Sequence, residues 1–142
     1  GGKSMYTLKR RVPFYETDGM KVVHHANYLR WMEEARIEYL RAGGILLNDL
    51  MDNGIVFPIL DLQIKYIKSA YNDDLIRIDI YLRKIDRVKM IFEYKIYNDI
   101  TDELLSEART VGANSSIETG KLIRLSETKI QKLKEISKGD RE

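Results

Sequence analysis

Residues 27–44 read NYLRWMEEARIEYLRAGG and contain the longest helical pattern in the chain. Apolar residues recur there every three to four positions, which places them on one face of an α-helix. These residues are Tyr28, Met32, Ala35 and Tyr39. Asn27 is predicted as the N-cap, and Gly43-Gly44 as the end of the helix. The apolar face of such a helix has to be covered by the rest of the chain.

The chain on either side of this helix indicates β-strands. A first strand is predicted for Tyr6–Phe14, ahead of the helix, and a short second helix for about Ile45–Met51. Further on, apolar and polar residues alternate with a period of two. The four alternating runs are Leu60–Tyr66, Ile76–Leu82, Met90–Ile96 and Leu104–Val111. Short turns separate the last three runs, so those strands should pair antiparallel.

These elements predict an α+β fold, in which an antiparallel sheet of about five strands wraps around one long helix. Leu122–Leu125 is a candidate for a little more strand, and the tail from Ser126 is predicted as an amphipathic helix. The outer face of the sheet is expected to include the apolar residues Ile59, Ile67, Tyr81, Ile91 and Tyr97. Apolar faces and open sheet edges favour self-association, so we expect at least a dimer.

The composition is that of a single globular domain. The 142 residues are 44% hydrophobic and 32% charged, which suits one domain with its own core. The 24 basic and 22 acidic residues nearly cancel, and this balance argues against a nucleic-acid partner. No apolar run approaches the roughly 18 residues of a membrane span, and no secretory signal is expected. Residues 1–4 resemble a cloning scar, which leaves residues 5–142 as the predicted domain.

Several kinds of catalytic centre are poorly supported by the sequence. The chain has no cysteine, which excludes disulfides, thiol nucleophiles and thiolate metal ligands, and is consistent with the cytoplasmic location that we expect. A Gly-x-Ser-x-Gly elbow is absent as well. The adjacent histidines His24 and His25 have no third nitrogen or sulfur ligand to complete a zinc site. We therefore expect neither a metal nor an organic cofactor.

A spaced motif runs from the loop before the helix into the helix itself. It consists of Tyr15, Thr17-Asp18, Val22-Val23, His25-Ala26-Asn27-Tyr28-Leu29 and Glu34-Ala35-Arg36. This motif resembles the hotdog-fold acyl-CoA thioesterases of the hydroxybenzoyl-CoA thioesterase type. Weaker matches are Lys65–Ala70 with Asp73-Asp74, Phe92-Glu93-Tyr94 and Glu107–Thr110. The resemblance covers about Tyr6–Leu125 and implies a hotdog fold with active sites at a dimer interface, often within a tetramer.

The resemblance implies that Asp18 is the catalytic acid, which acts as nucleophile on the thioester carbonyl or as base for water. The sequence does not choose between these two mechanisms. The first N–H groups of the helix lack internal partners and carry partial positive charge, so they are candidates to stabilise the oxyanion. We expect the N–H of His25 or a neighbour to serve, and the His25 side chain to help orient the acid or the thioester. Similar sequences usually have glycine at the position of Lys21.

The substrate carrier and the acyl group are not determined by the sequence. Arg83, Lys84, Arg87 and Lys89 flank one turn, and Arg87 and Lys89 are candidates for contacts to coenzyme A phosphates. A basic entrance would also suit an acyl carrier protein, so an acyl-ACP thioesterase remains an alternative. A second alternative is a hotdog protein that binds acyl-CoA without turnover. The preferred hypothesis is an acyl-CoA thioesterase that releases a carboxylic acid and free coenzyme A.

Overall fold

The structure, a computed structural model, describes residues 6–140. The predicted cloning scar at residues 1–4 lies outside this range. The helices are α1 (Ala26–Ala42), α2 (Leu47–Asp52) and α3 (Glu127–Ile136). The strands are β1 (Tyr6–Arg11), β2 (Ile55–Val56), β3 (Ile59–Tyr66), β4 (Leu75–Ile85), β5 (Lys89–Asn98), β6 (Leu104–Ala113) and β7 (Ser115–Ser116). A single 3₁₀ turn at Phe14–Glu16 follows β1.

Five strands form one antiparallel sheet in the order β1-β4-β5-β6-β3. The three strands that short turns connect, β4, β5 and β6, pair consecutively as predicted. The chain after β3 crosses over to β4, which lies between β1 and β5. Strand β3 itself pairs only with β6 in this sheet and forms one of its edges. The short strands β2 and β7 pair separately and were not predicted from the sequence.

Helix α1 lies on the inner face of the sheet, and the predicted apolar face is buried. Tyr28, Met32, Ala35 and Tyr39 are each at most 1% exposed. Opposite them, alternate residues of β4 are fully buried, namely Ile76, Ile78, Ile80 and Leu82. A sheet wrapped around one long helix is the predicted α+β hotdog fold, which is thus confirmed.

The predicted N-cap of α1 is wrong, because the helix begins one residue before Asn27. His25 occupies the cap position, and Asn27 is 4% exposed inside the first turn. The Asn27 side chain instead donates from Nδ2 to the carbonyl oxygens of Glu16, at 2.9 Å, and His24, at 3.3 Å. Its amide therefore joins the helix to the preceding loop, which helps to position that loop.

The outer face of the sheet is less apolar than the sequence predicts. Pairing shifts between Ile59 and Asp61, so Ile59 lies opposite Gly112 and lines a groove on the helix side of the sheet. The placement of Ile59 on the outer face is wrong, because alternation alone does not reveal this β-bulge. Two of the predicted outer-face residues, Tyr81 and Tyr97, are covered by arginine side chains. The guanidinium of Arg83 lies 4.2 Å from the ring centroid of Tyr81, and that of Arg77 lies 4.4 Å from the ring centroid of Tyr97.

The C-terminal part of the chain closes one end of the domain. The predicted helix in the tail is α3, on which Ile130 and Leu133 are buried, and Ser126 caps it by accepting from the Lys129 N–H. Leu122–Leu125 contributes only an isolated bridge between Leu122 and Ser115 rather than a strand. No helix within residues 6–140 is both long and apolar enough to cross a membrane.

Candidate active site

The loop between β1 and α1 is anchored by a buried carboxylate, Glu16, which is 4% exposed. Its Oε1 accepts a hydrogen bond from Trp31 Nε1 at 3.1 Å, and its Oε2 accepts one from Arg10 Nη1 at 3.0 Å. The Glu16 carbonyl oxygen accepts from the His24 N–H at 2.9 Å. One residue thus ties the strand, the loop and the helix together, and no feature of the sequence motif singled it out.

Asp18 lies at the exposed tip of this loop, in a turn that its own side chain stabilises. Asp18 Oδ1 accepts from the N–H groups of Met20, at 2.7 Å, and Val22, at 3.3 Å. The Asp18 N–H donates to the Val22 carbonyl at 2.8 Å. Among the described residues, Asp18 Oδ2 has no hydrogen-bond partner. The carboxylate is therefore oriented through one oxygen, and the other is available to a substrate or to water.

Lys21 adopts a left-handed backbone conformation, with φ at 63°. Its N–H donates to the Asp18 carbonyl at 3.0 Å, which closes the turn. Left-handed φ values cost a residue with a Cβ roughly 1 kcal/mol or more, and glycine adopts them freely. The loop thus keeps the backbone path for which glycine is suited, although a lysine occupies the position.

The start of α1 supplies one free backbone donor close to this loop. The Ala26 N–H donates to His24 Nδ1 at 3.2 Å, and the Asn27 N–H donates to the His24 carbonyl at 2.9 Å. Within residues 6–140, no partner is found for the N–H of His25. A free N–H at the positive end of a helix can stabilise developing negative charge on an oxygen.

The His25 side chain is exposed but held in place by an aromatic contact. Its imidazole stacks on the ring of Tyr66, with the centroids 4.0 Å apart and the planes at 11°. Tyr66 is the last residue of β3 and is 40% exposed. No hydrogen bond within the described chain joins His25 to the Asp18 carboxylate. Both lie at the same end of the sheet, because Val22 bridges to Tyr71 and the Val23 N–H donates to the Ala70 carbonyl at 2.8 Å.

The structure does not bring Arg87 and Lys89 to this site within one chain. Both are exposed, Arg87 in the turn between β4 and β5 and Lys89 as the first residue of β5. The eleven residues of β4 separate that turn from the end that carries Asp18, a distance of roughly 35 Å at the usual rise per residue. Asp86 closes the turn by accepting from the Lys89 and Val88 N–H groups, and these hydrogen bonds lower the pKa of Asp86.

A groove of about 280 Å³ opens between α1 and the start of β3. Its lining is mainly apolar, from Ile37, Leu40, Leu47, Phe57 and Ile59, with the charged residues Glu33 and Arg36. The Phe57 ring lies directly on Gly112, where a Cβ would overlap it. The sequence motif includes Arg36 without a role in the site, whereas the structure places this residue in the groove.

Arg36 is joined to the sheet by a short chain of hydrogen bonds. Its Nη1 donates to the hydroxyl of Tyr94 at 3.0 Å. The Tyr94 hydroxyl and Thr110 Oγ1 are 2.6 Å apart, and since Arg36 can only donate, the tyrosine hydrogen is available to the threonine. Burial raises the pKa of Tyr94, and the neighbouring Arg36 opposes this shift.

No group of three or more His, Cys, Asp or Glu side chains that could hold a metal ion occurs within residues 6–140.

The chain matches known proteins over most of its length. Residues 12–135 match the model of the thioesterase-like superfamily. The chain belongs to this superfamily. A putative esterase of Aquifex aeolicus is 31% identical over 130 residues, which are 92% of this chain and 98% of that protein. A putative acyl-CoA thioesterase of Bacillus subtilis is 33% identical over 96 residues, covering 66% of this chain and 70% of the relative.

Solved structures agree with the family assignment. The DHNA-CoA thioesterase of Staphylococcus aureus superposes with a TM-score of 0.85 at 27% identity, over 93% of this chain and 92% of the other. The predicted family, fold and enzyme class are thus confirmed, and the protein is a thioester hydrolase. The roles of Asp18, His25, Arg87 and Lys89 stay predictions.

We expect Glu16→Ala to destabilise the protein by about 3 kcal/mol, because it leaves the partly buried guanidinium of Arg10 and the buried indole N–H of Trp31 without their acceptor. Urea denaturation measures this loss. The matched control is Glu34→Ala, since Glu34 lies 3.8 Å from the same Arg10 guanidinium but its side chain is 50% exposed. That control should cost less than about 1 kcal/mol. Equal losses for the two variants would contradict the anchoring role of Glu16.

Proposed function

We propose that the protein hydrolyses an acyl-CoA to a carboxylate and free coenzyme A, with Asp18 as the catalytic carboxylate. Membership of the thioesterase-like superfamily carries the reaction class. The observation that supports the role of Asp18 is its orientation. One carboxylate oxygen is fixed by two backbone N–H groups, and the other is free on the exposed side of the loop.

Two reaction courses are open to this carboxylate. As a nucleophile, it would attack the thioester carbon, release the coenzyme A thiolate and form an anhydride, which water then hydrolyses. As a general base, it would take a proton from the water that attacks the same carbon. In both courses negative charge develops on the carbonyl oxygen. The His25 N–H at the start of α1 is the donor that we assign to this oxygen.

We further propose that two copies of the chain pair along β3. This strand is a sheet edge, and edges with unpaired backbone groups favour pairing with another strand. Apolar side chains remain uncovered on it, since Leu60 is 57% exposed and Leu62 is 37% exposed. An antiparallel pairing about a two-fold axis would cover them and join two sheets into one of ten strands.

Pairing along β3 also bears on Arg87 and Lys89. A two-fold axis reverses the direction of the second sheet, so the β4–β5 turn of one copy lies at the same end as Asp18 of the other. We keep both residues as candidates for contacts to coenzyme A phosphates, and these contacts would come from the second copy.

We also propose a cytoplasmic location for the protein, and the absence of cysteine agrees with it.

Asp18→Asn should lower kcat by at least two orders of magnitude, about the contribution of a positioned acid or base. Asparagine retains a side-chain oxygen that can accept from Met20 and Val22, so the turn should persist while the charge is lost. A thiol-release assay over short, medium, long and aromatic acyl-CoAs measures the effect. Asp52→Asn, at an exposed position on α2, serves as the control for loss of one charge. Undiminished release by Asp18→Asn would remove the proposed role.

The oxyanion donor is tested by comparing His25→Pro with His25→Ala. Proline lacks the N–H, and its ring suits the φ of −55° that His25 adopts at the start of the helix. Alanine removes the imidazole but keeps the N–H. We expect kcat of the proline variant to fall a further 100-fold or so below that of the alanine variant. Equal rates for two variants with unchanged circular dichroism would argue against an N–H donor at this position.

Leu60→Lys should shift the protein towards monomers, because it places a charge in the proposed interface along β3. Light scattering after size-exclusion chromatography measures the mass in solution. Ile100→Lys is the control, since Ile100 is 76% exposed in the β5–β6 turn, away from this edge. A variant at Leu60 that keeps the wild-type mass would speak against pairing through β3.

A further inference from the structure

Arg36 carries a charge for which the described chain provides no counter-ion. It is partly buried, and no carboxylate within residues 6–140 lies close enough to form an ion pair with it, although Glu33 lines the same groove. One of its five N–H donors bonds to the Tyr94 hydroxyl. Partly buried guanidinium groups usually bind an acceptor through several donors, so the remaining ones are available to a ligand.

The groove around Arg36 is suited to a small acyl group. Its walls are mainly apolar, with Glu33 and Arg36 as the charged residues, and its volume is about 280 Å³. Such a space holds a short chain or a ring, and one polar group in an apolar pocket typically fixes the orientation of the ligand. The ligand expected here is apolar along its length and carries an oxygen at its far end.

Within one chain, the groove lies far from the proposed reaction centre. Arg36 follows His25 by eleven residues along α1, which corresponds to roughly 16 Å of helix. Only a long acyl chain could bridge that distance. A second copy changes this geometry, because antiparallel pairing of β3 places the Ile59 end of one strand beside the Tyr66 end of the other. Ile59 lines the groove of Arg36, and Tyr66 stacks on His25.

We propose that the acyl group of a thioester held at Asp18 and His25 of one copy enters the groove of the second copy, where Arg36 binds an oxygen at the far end of that group. The substrate class is an acyl-CoA of short or medium length with a distal hydroxyl or carboxylate. Arg36 is then a specificity-determining residue that acts across the dimer. This inference rests on the proposed function and on pairing along β3.

The first experiment compares acyl-CoAs of four, six and eight carbons that end in a methyl group, a hydroxyl or a carboxylate. At the best length, we expect wild-type kcat/KM to be roughly 10- to 100-fold higher for an oxygen-terminated acyl group, the effect of one charge-assisted hydrogen bond. The hydroxyl and carboxylate series show which oxygen is preferred. In Arg36→Met the preference should disappear, because kcat/KM for the oxygen-terminated acyl group falls roughly 10- to 100-fold relative to that for the methyl-terminated one.

Tyr94→Phe separates recognition from a structural role. It removes the hydroxyl that Arg36 contacts but leaves the guanidinium in the groove. If Arg36 serves only to hold Tyr94, the two variants should have the same effect on the substrate preference. We expect Tyr94→Phe to keep the preference for oxygen-terminated substrates and Arg36→Met to lose it. Loss of the preference in both variants would overturn the assignment.

Mixed dimers test whether Arg36 acts across the interface. The full chains with Asp18→Asn and with Arg36→Met are co-expressed with different tags, and the heterodimer is purified through both. If the site is shared, one of its two sites combines an intact Asp18 with an intact Arg36 and shows the wild-type preference. If each site uses its own Arg36, the only active site has methionine in the groove, and the preference is lost.

The outcomes separate this inference from the proposed function. No hydrolysis of any acyl-CoA by the wild-type protein would overturn the proposed function and this inference with it. Hydrolysis with the same preference in the wild-type protein and in Arg36→Met would overturn the inference alone. A heterodimer without the wild-type preference would overturn the shared site.

Discussion

The buried carboxylate of Glu16 is the contact on which the arrangement of the site depends. A carboxylate with 4% exposure is stable there because Arg10 and Trp31 donate to its two oxygens. These partners come from β1 and from α1, and the Glu16 carbonyl accepts from His24 just before the helix. The tip of the loop, with Asp18, is exposed and needs few contacts of its own, because both ends of the loop are fixed at this point. The buried base of the loop thus fixes the position of the exposed tip, where we propose that Asp18 reacts.

The sheet likewise combines well-packed central strands with an exposed edge. Strands β4 and β5 have neighbours on both sides and bury their inner residues under α1. Strand β3 is paired on one side only and leaves Leu60 and Leu62 partly exposed. The stacked pair of His25 and Tyr66 lies at one end of this edge, and the groove of Arg36 lies at the other end. A single chain therefore carries the two groups of residues that we propose to form one binding site at opposite ends of one strand, and a two-fold axis through β3 would unite them.

The parts of the structure that follow a simple period could be predicted from the sequence. The buried face of α1 and the alternating strands β4, β5 and β6 are determined by apolar spacing, which is a local property. The cap at Asn27 was predicted wrongly, because the preceding loop binds that side chain, and the position of Ile59 was missed because a bulge shifts the register. Glu16 gave no signal at all, since its partners lie six and fifteen residues away in two different elements and a lone glutamate in a polar loop usually indicates an exposed side chain. Family resemblance pointed to Asp18 and His25, but only the folded chain shows which oxygen and which N–H remain unpaired.

The left-handed backbone at Lys21 has a consequence for the evolution of the loop. Glycine would relax the folded turn but would also enlarge the unfolded ensemble, and at a left-handed φ the first effect is the larger of the two. The lysine therefore carries a small net cost in conformational stability. In return its side chain adds a cation three residues from the Asp18 carboxylate. The tip of the loop can therefore change its long-range electrostatic attraction without altering the hydrogen bonds that hold the acid.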